Sequence, residues 1–430
     1  MLTVCMGRLR RHPVVVGSAV VAVLVVIAGY ELPRHGRRLG APDPPFYLFT
    51  DPRVTWWSLL AAAGILTLAW WAPRMTGWTD RSFALGVIAV ALASRVVLNI
   101  SRDGPGELIG PLTGERGGRE YLPTVPLFLD DPSGYLAHFP TLVDRALPVH
   151  PAGHPPGATI LLAGLDWVGA AGAWPAAVMI LVVGSLTAIP VLWLGRSLRD
   201  ESVARRVVLV WMFAPSVLLY GATSMDAVFA ACGALAAVLL IRWQLAAGAV
   251  VTAIASFLSY ALLAVPVWVF LTFVIGGESR HRLIRGAVMV GLIVAGGYVL
   301  GYLVLDYDPI AAYHATKQEY LQGVASRRPY WFWLVGDPVA FLVGLGIPAA
   351  VLWLRGVELR DPPAVALAVT LLIAAASGFA KAEVERIWMF LIPFAAITVA
   401  ARTPPRHLRL LLVALAGQAL VVEVLFGTTW

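Results

Sequence analysis

Apolar runs recur along almost the whole chain, near 13–30, 54–72, 82–99, 174–195, 206–221, 226–241, 244–258, 261–276, 286–304, 335–355, 363–380, 386–401 and 408–426. At 1.5 Å per helical residue, about 20 residues match the thickness of a bilayer's hydrocarbon. Inside that layer a helix satisfies all of its own backbone polar groups. Several runs are short or closely abutted, so the pattern predicts an all-α polytopic transmembrane helical bundle of about 11–14 spans. Composition points the same way: 13% of residues are charged and 59% apolar, against roughly 25% charged in a soluble domain.

The net charge of +7 would suggest nucleic acid in a soluble protein. Here the arginines sit in short segments between apolar runs, as cytoplasmic anchors do, so the lipid bilayer is the expected partner and nucleic acid is not. The first run follows Arg8, Arg10 and Arg11, and no small-x-small cleavage site precedes Glu31–Arg34, so it reads as a retained helix. Cys5 and Cys232 lie in a tail and in an expected helix, and no disulfide is expected between them.

Basic segments face the cytoplasm, and four are clear: the N-terminal tail, 196–206, 280–285 and 402–409. Keeping all four on one side requires that 158–171, which contains Asp166, lie along the outer interface. The chain then runs from a cytoplasmic N-terminus through 13 spans, with 100–173, 222–225, 305–334 and 381–385 outward. One segment, 31–53, carries Arg34, Arg37, Arg38 and Arg53 yet falls outside. The outward segments collect the unusual polar residues, whereas a transporter places them at mid-membrane on broken helices.

The longest polar stretch, Ser101–Gly157, carries Glu120-Tyr121, Asp130-Asp131, Tyr135, His150 and His154-Pro155-Pro156-Gly157. An acidic pair, a tyrosine shortly after it and a His-Pro-Pro turn opening an apolar helix resemble the pattern of the GT-C superfamily of membrane glycosyltransferases. Arg95, Arg196, Asp226 and the cluster Lys381–Arg386 before the Pro393-containing run have counterparts in that pattern. The resemblance covers about residues 82–401, leaving 1–81 as added N-terminal helices and 402–430 as a C-terminal helix. It implies a GT-C-like enzyme in the plasma membrane with its site on the outer face. Such an enzyme transfers mannose, or next arabinofuranose, from a polyprenyl-phosphate sugar to a glycolipid or glycan acceptor of the cell envelope.

That chemistry suits the residue types. A sugar hydroxyl needs a carboxylate base, and the departing lipid phosphate needs cationic stabilisation. Direct displacement would invert the anomeric centre. Asp130, Asp131 and Glu120 are the candidate bases, because this chain has Asp-Asp where relatives often have Asp-Glu. Asp130-Asp131 equally suits a helix cap, and leaves room for a divalent ion although no metal-ligand set is visible. No nucleotide cofactor is implied. Substrate contacts are expected from Tyr121, Tyr135, His150, His154, Asp226, Lys317, Arg327, Arg328, Glu385 and Arg386. Against this stand plainer readings: Arg327-Arg328 as part of an interfacial belt with Tyr330–Trp333, and Glu383, Glu385 and Arg386 simply pairing with one another. The rival functions are a transporter or lipid flippase and a non-catalytic membrane subunit.

Overall fold

The computed structural model describes residues 12–428. The chain is all-α and polytopic. Among the described residues seven helices are long and apolar enough to cross a membrane: Pro13–Arg34, Trp56–Gly77, Asp80–Asn99, Ala173–Leu198, Arg280–Leu305, Val384–Arg402 and Pro405–Leu425. The pair Tyr330–Leu345 and Ile347–Glu358 would make an eighth, bent by 115°.

This is fewer full-length spans than the 13 expected, and the breaks have local causes. The run 206–221 is cut where Pro215 opens a separate helix, Pro215–Tyr220, since proline lacks the N–H that would continue the preceding one. The run 335–355 turns at Gly346, whose φ is +100° and where a Cβ would stand 2.2 Å from a Leu415 methyl. Asp226–Ile241, Leu245–Leu258, Tyr260–Ile275 and Pro362–Ser377 are apolar but short. A helix of 16 residues reaches only about 24 Å, against roughly 30 Å of hydrocarbon. Gly157–Trp167, expected along the interface, has 11 residues and is too short to cross.

The centre is built from helices that are buried on all sides and largely apolar, with Arg205 and Arg206 as charged exceptions. Every residue from Val203 to Phe213 and from Ile392 to Ala400 is buried, as an interior helix requires. The two helices pack on each other, and Trp268 stacks on Phe394 with ring centroids 3.9 Å apart. Pro13–Arg34 and Arg280–Leu305 bury only Val25 and Gly29, and Gly286 and Val290. Their remaining apolar surface faces outward.

Ionic contacts sort the connecting segments into two ends. At one end Arg199 holds Asp361 at 2.6 Å, Arg205 joins Asp80 and Glu201, Arg206 reaches the Ala400 carbonyl at 3.4 Å, and Arg282 covers the Trp243 ring. Three of the four basic segments expected together, 196–206, 280–285 and 402–409, therefore share an end, and the N-terminal tail with Arg8, Arg10 and Arg11 lies outside the described residues. The opposite end gathers 39–53, 100–156, 221–226, 306–330 and 378–386. Segment 31–53 is anchored there: the Tyr47 N–H donates to Glu385 Oε1 at 2.7 Å, and Phe49 and Thr50 pair with Gly427 and Phe426.

Ser101–Gly157 folds into short helices over a run of aromatic contacts, Phe128–Tyr135, Tyr135–Phe139, Phe139–Tyr307 and Phe257–Tyr307, with centroids 5.3–6.0 Å apart. Arg102 ties its start down, donating to the carbonyls of Glu423 (2.7 Å) and Phe426 (2.8 Å) and to Asp51 Oδ2 (2.7 Å).

Candidate active site

The polar segment 381–386 forms a strap across this end of the bundle. Ala382 and Glu383 adopt φ of 65° and 63° in succession, and a non-glycine residue in that region costs of order 1–3 kcal/mol. Surrounding contacts hold it. The Ala382 N–H donates to Asp337 Oδ1 at 2.9 Å and the Lys381 N–H to Tyr320 Oη at 2.7 Å. Lys381 Nζ donates to the carbonyls of Ala325 (2.8 Å) and Arg328 (2.9 Å), while Arg328 Nη1 donates to the Lys381 carbonyl at 2.5 Å.

The turn sets the Glu383 carboxylate between two guanidinium groups, with Arg328 Nη2 at 2.6 Å and Arg386 Nη2 at 3.1 Å. Burial pushes the Glu383 carboxyl up, but Arg386 and Arg328 outweigh it and hold the pKa at about 2. Arg386 Nη1 also donates to Asp226 Oδ2 at 2.5 Å, which accepts from Ser224 Oγ at 2.6 Å.

Beside this ionised group lies a carboxyl in the opposite state. Glu120 is 7% exposed, and its Oε1 stands 3.7 Å from His150 Nε2. Burial pushes its pKa up to about 8; Arg386 opposes the rise, and the Asp226 and Glu383 carboxylates add to it. Burial, reinforced by the charge of Arg386, takes His150 down to about 3, so its imidazole is neutral. His154 is lowered by burial too. Its Nδ1 lies 3.0 Å from the His150 carbonyl; because a carbonyl only accepts, Nδ1 carries the proton and Nε2 is left as an acceptor. Tyr121 packs against both imidazoles at 6.5 and 6.0 Å, and His154 against Phe229 at 5.7 Å.

Five separate parts of the chain thus meet: Glu120-Tyr121, His150–His154, Ser224–Asp226, Arg328 and Lys381–Arg386. Six other expected site residues lie elsewhere or act otherwise. Asp130 and Asp131 are exposed and do not join the buried group. Asp131 caps the helix Pro132–Ala137, its Oδ1 accepting from the Gly134 N–H at 2.9 Å and Ser133 Oγ at 3.0 Å, which lowers its pKa. Tyr135 belongs to the aromatic core beneath the loop. Lys317 is half-buried, with Nζ 5.7 Å from the Phe379 ring centroid. Glu385 accepts from the Tyr47 N–H, and its carbonyl takes the Ser216 hydroxyl at 2.5 Å.

Arg328 is buried and spends Nε on the Gly40 carbonyl at 3.2 Å as well as Nη1 and Nη2 on the strap. It clamps protein to protein, which neither an interfacial belt nor an open phosphate clamp describes. Arg327 is exposed, at the rim of a cavity of about 380 Å³ whose wall includes Arg328, Tyr47 and Tyr320. No group of three or more His, Cys, Asp or Glu side chains among the described residues is placed to hold a metal ion.

Two participants, Asp337 and Arg119, were not singled out in the sequence, and a third, Glu383, was read there only as pairing with Glu385 and Arg386. Glu383 is the hub between two arginines, but no glycine flags the left-handed turn that puts it there. Asp337 is a fully buried acid in an apolar run before Pro338, a signal that was legible. Arg119 precedes Glu120, accepts the His150 N–H on its carbonyl at 3.1 Å and keeps an exposed side chain.

No family model matches the chain, and no curated protein or solved structure matches it either.

Proposed function

We propose that the protein is a membrane glycosyltransferase that uses a polyprenyl-phosphate sugar and has its site at the Glu120 end of the bundle, on the outer face of the plasma membrane. Mannose is the favoured sugar and arabinofuranose the next, transferred to a hydroxyl of a glycolipid or glycan acceptor. One observation carries the reading: a buried carboxyl with a pKa pushed up to about 8 sits beside the Asp226–Arg386–Glu383 salt-bridge group where the polar loops converge. Perturbed acids and bases gathered at one place are a mark of function, and a general base works best with a pKa near the operating pH.

In this mechanism the Glu120 carboxylate takes the proton of the acceptor hydroxyl as its oxygen bonds to the anomeric carbon. The bond from that carbon to the phosphate oxygen breaks, and the lipid phosphate leaves with the electron pair, inverting the centre. Arg386 is held by Asp226 and Glu383, so its charge is pre-positioned for the growing anion at no reorganisation cost. Arg119 is exposed next to Glu120 and adds a second cation. Neutral His150 and His154 shape the pocket wall without adding repulsion to Arg386.

A transporter would need a polar route between the ends. Val207–Phe213, Ala227–Ala230 and Ile392–Ile397 in the interior between them are buried and apolar, and the Arg95 guanidinium buried over the Trp211 ring is fixed by its bond to Ser185 Oγ at 3.1 Å.

The test is transfer of radiolabelled sugar from polyprenyl-phosphate mannose, or from the arabinofuranose donor, by the purified full chain in detergent. Release or transfer of sugar that Glu120→Gln abolishes supports the reading. Neither from either donor would end it.

A further inference from the structure

The 380 Å³ cavity falls within the range of about 300–1,000 Å³ typical of small-molecule sites. All of its walls come from outside the candidate membrane spans: the 40–47 segment, the short helix Val149–Gly153, and residues 319–328. A ligand therefore enters from water, and an isoprenoid tail has no apolar helix there to lie against. Its position is not incidental to the buried site. The helix Val149–Gly153 turns Val149 and Gly153 to the cavity and His150 to Glu120, and the Arg328 wall is bonded directly to Glu383.

The lining identifies the ligand class. Tyr47 and Tyr320 contribute aromatic side chains to the lining, and Glu319, Gln322 and Arg327 offer hydrogen-bonding groups that no described residue occupies. Among the lining side chains Glu319 and Arg327 balance in charge and Arg328 is paired with Glu383, and the Lys381 ammonium behind the wall is spent on the carbonyls of Ala325 and Arg328, so no free cation points into the cavity to favour a phosphate. We propose that it is the acceptor subsite and takes the neutral, hydroxyl-rich sugar end of the acceptor from the aqueous side. The proposal rests on the transferase reading, and it separates the paths of the two substrates: the acceptor comes from water and the lipid donor from the bilayer.

Two measurements test it. In the first, the full chain transfers from polyprenyl-phosphate mannose to octyl mannoside, and KM is taken for each substrate. Gln322→Ala and Glu319→Ala each remove one hydrogen-bonding partner, which raises the acceptor KM roughly 3- to 10-fold while the donor KM holds. A rise in donor KM instead, or no change in either, overturns the proposal. In the second, Ser326, exposed at the rim, is changed to cysteine and its alkylation followed by mass spectrometry. Mannose and arabinose disaccharides are the probes, with inorganic phosphate alongside. Protection by a disaccharide is expected; protection by phosphate alone, or by none of the three, refutes it. Because this readout needs no turnover, protection by a sugar in a chain that transfers nothing would keep the cavity as a sugar site while the transferase reading fails.

Discussion

The sharpest test of the site is the pH dependence of transfer, because it follows from the burial of one side chain. Glu120 has its pKa raised to about 8 by burial, Arg386 opposing and Asp226 and Glu383 adding. If it is the base, only its ionised form is active, and that fraction is about 1% at pH 6, 10% at pH 7 and 50% at pH 8 for a group of that pKa. Between pH 6 and pH 8, kcat/KM should climb roughly 50-fold, with a slope near one, and flatten above pH 9. Glu120→Gln keeps the shape, loses the charge, and should lower kcat by about 100- to 10,000-fold with the slope gone. Folding supplies an internal control. A carboxyl whose pKa is raised in the folded state binds more protons there than unfolded, so wild-type stability falls as pH rises from the unfolded value near 4.5 towards about 8. The Gln variant has no proton to lose, so its Tm in detergent should decline less over that window, and its inactivity cannot be laid to unfolding. A flat pH–rate profile in the wild type, or a Gln variant that retains turnover, refutes Glu120 as the base.

Further outcomes follow from the surrounding geometry. Asp130→Asn and Asp131→Asn should transfer at near wild-type rates, with Asp131→Asn lowering Tm slightly through its cap; a 100-fold loss of rate in either would return the base to that pair. Asp226→Asn removes the carboxylate 2.5 Å from Arg386, which keeps Glu383 at 3.1 Å, and should cost about 1–3 kcal/mol; an unchanged denaturant-derived stability would show that the pair is solvated. Arg328→Lys retains charge but not three directed bonds, and should destabilise by roughly 1–3 kcal/mol, whereas an unchanged Tm would mean the clamp is not needed. Cysteines at Ser133 and Ser326 should react with impermeant thiol reagents from outside intact cells and one at Ser279 should not. The reverse pattern would invert the assigned orientation.

What the sequence by itself determined is whatever depends on solvent and near neighbours. Apolar runs report the medium that a segment occupies, so the all-α, many-helix architecture was legible from them. So was the cap at Asp131, whose partners Ser133 and Gly134 lie within three residues. The grouping of polar segments at one end followed from arginine-rich segments at the other, a rule about sidedness that needs no contacts. Span lengths were less legible, because a helix enclosed by others can stop short of the full bilayer and still have its ends covered, as Asp226–Ile241 does. Glu120, His150, Asp226 and Arg386 were candidates in the sequence already, but only the tertiary structure brought them together with Glu383 and apart from Asp130 and Asp131. Glu120, His150, Asp226, Glu383 and Arg386 come from distant parts of the chain, and a pKa depends on burial and charges through space, which no local pattern encodes. The same carboxyl chemistry therefore appears three ways here: Asp131 exposed and capping, Glu383 ionised between two arginines, and Glu120 buried beside a neutral imidazole and titrating near 8.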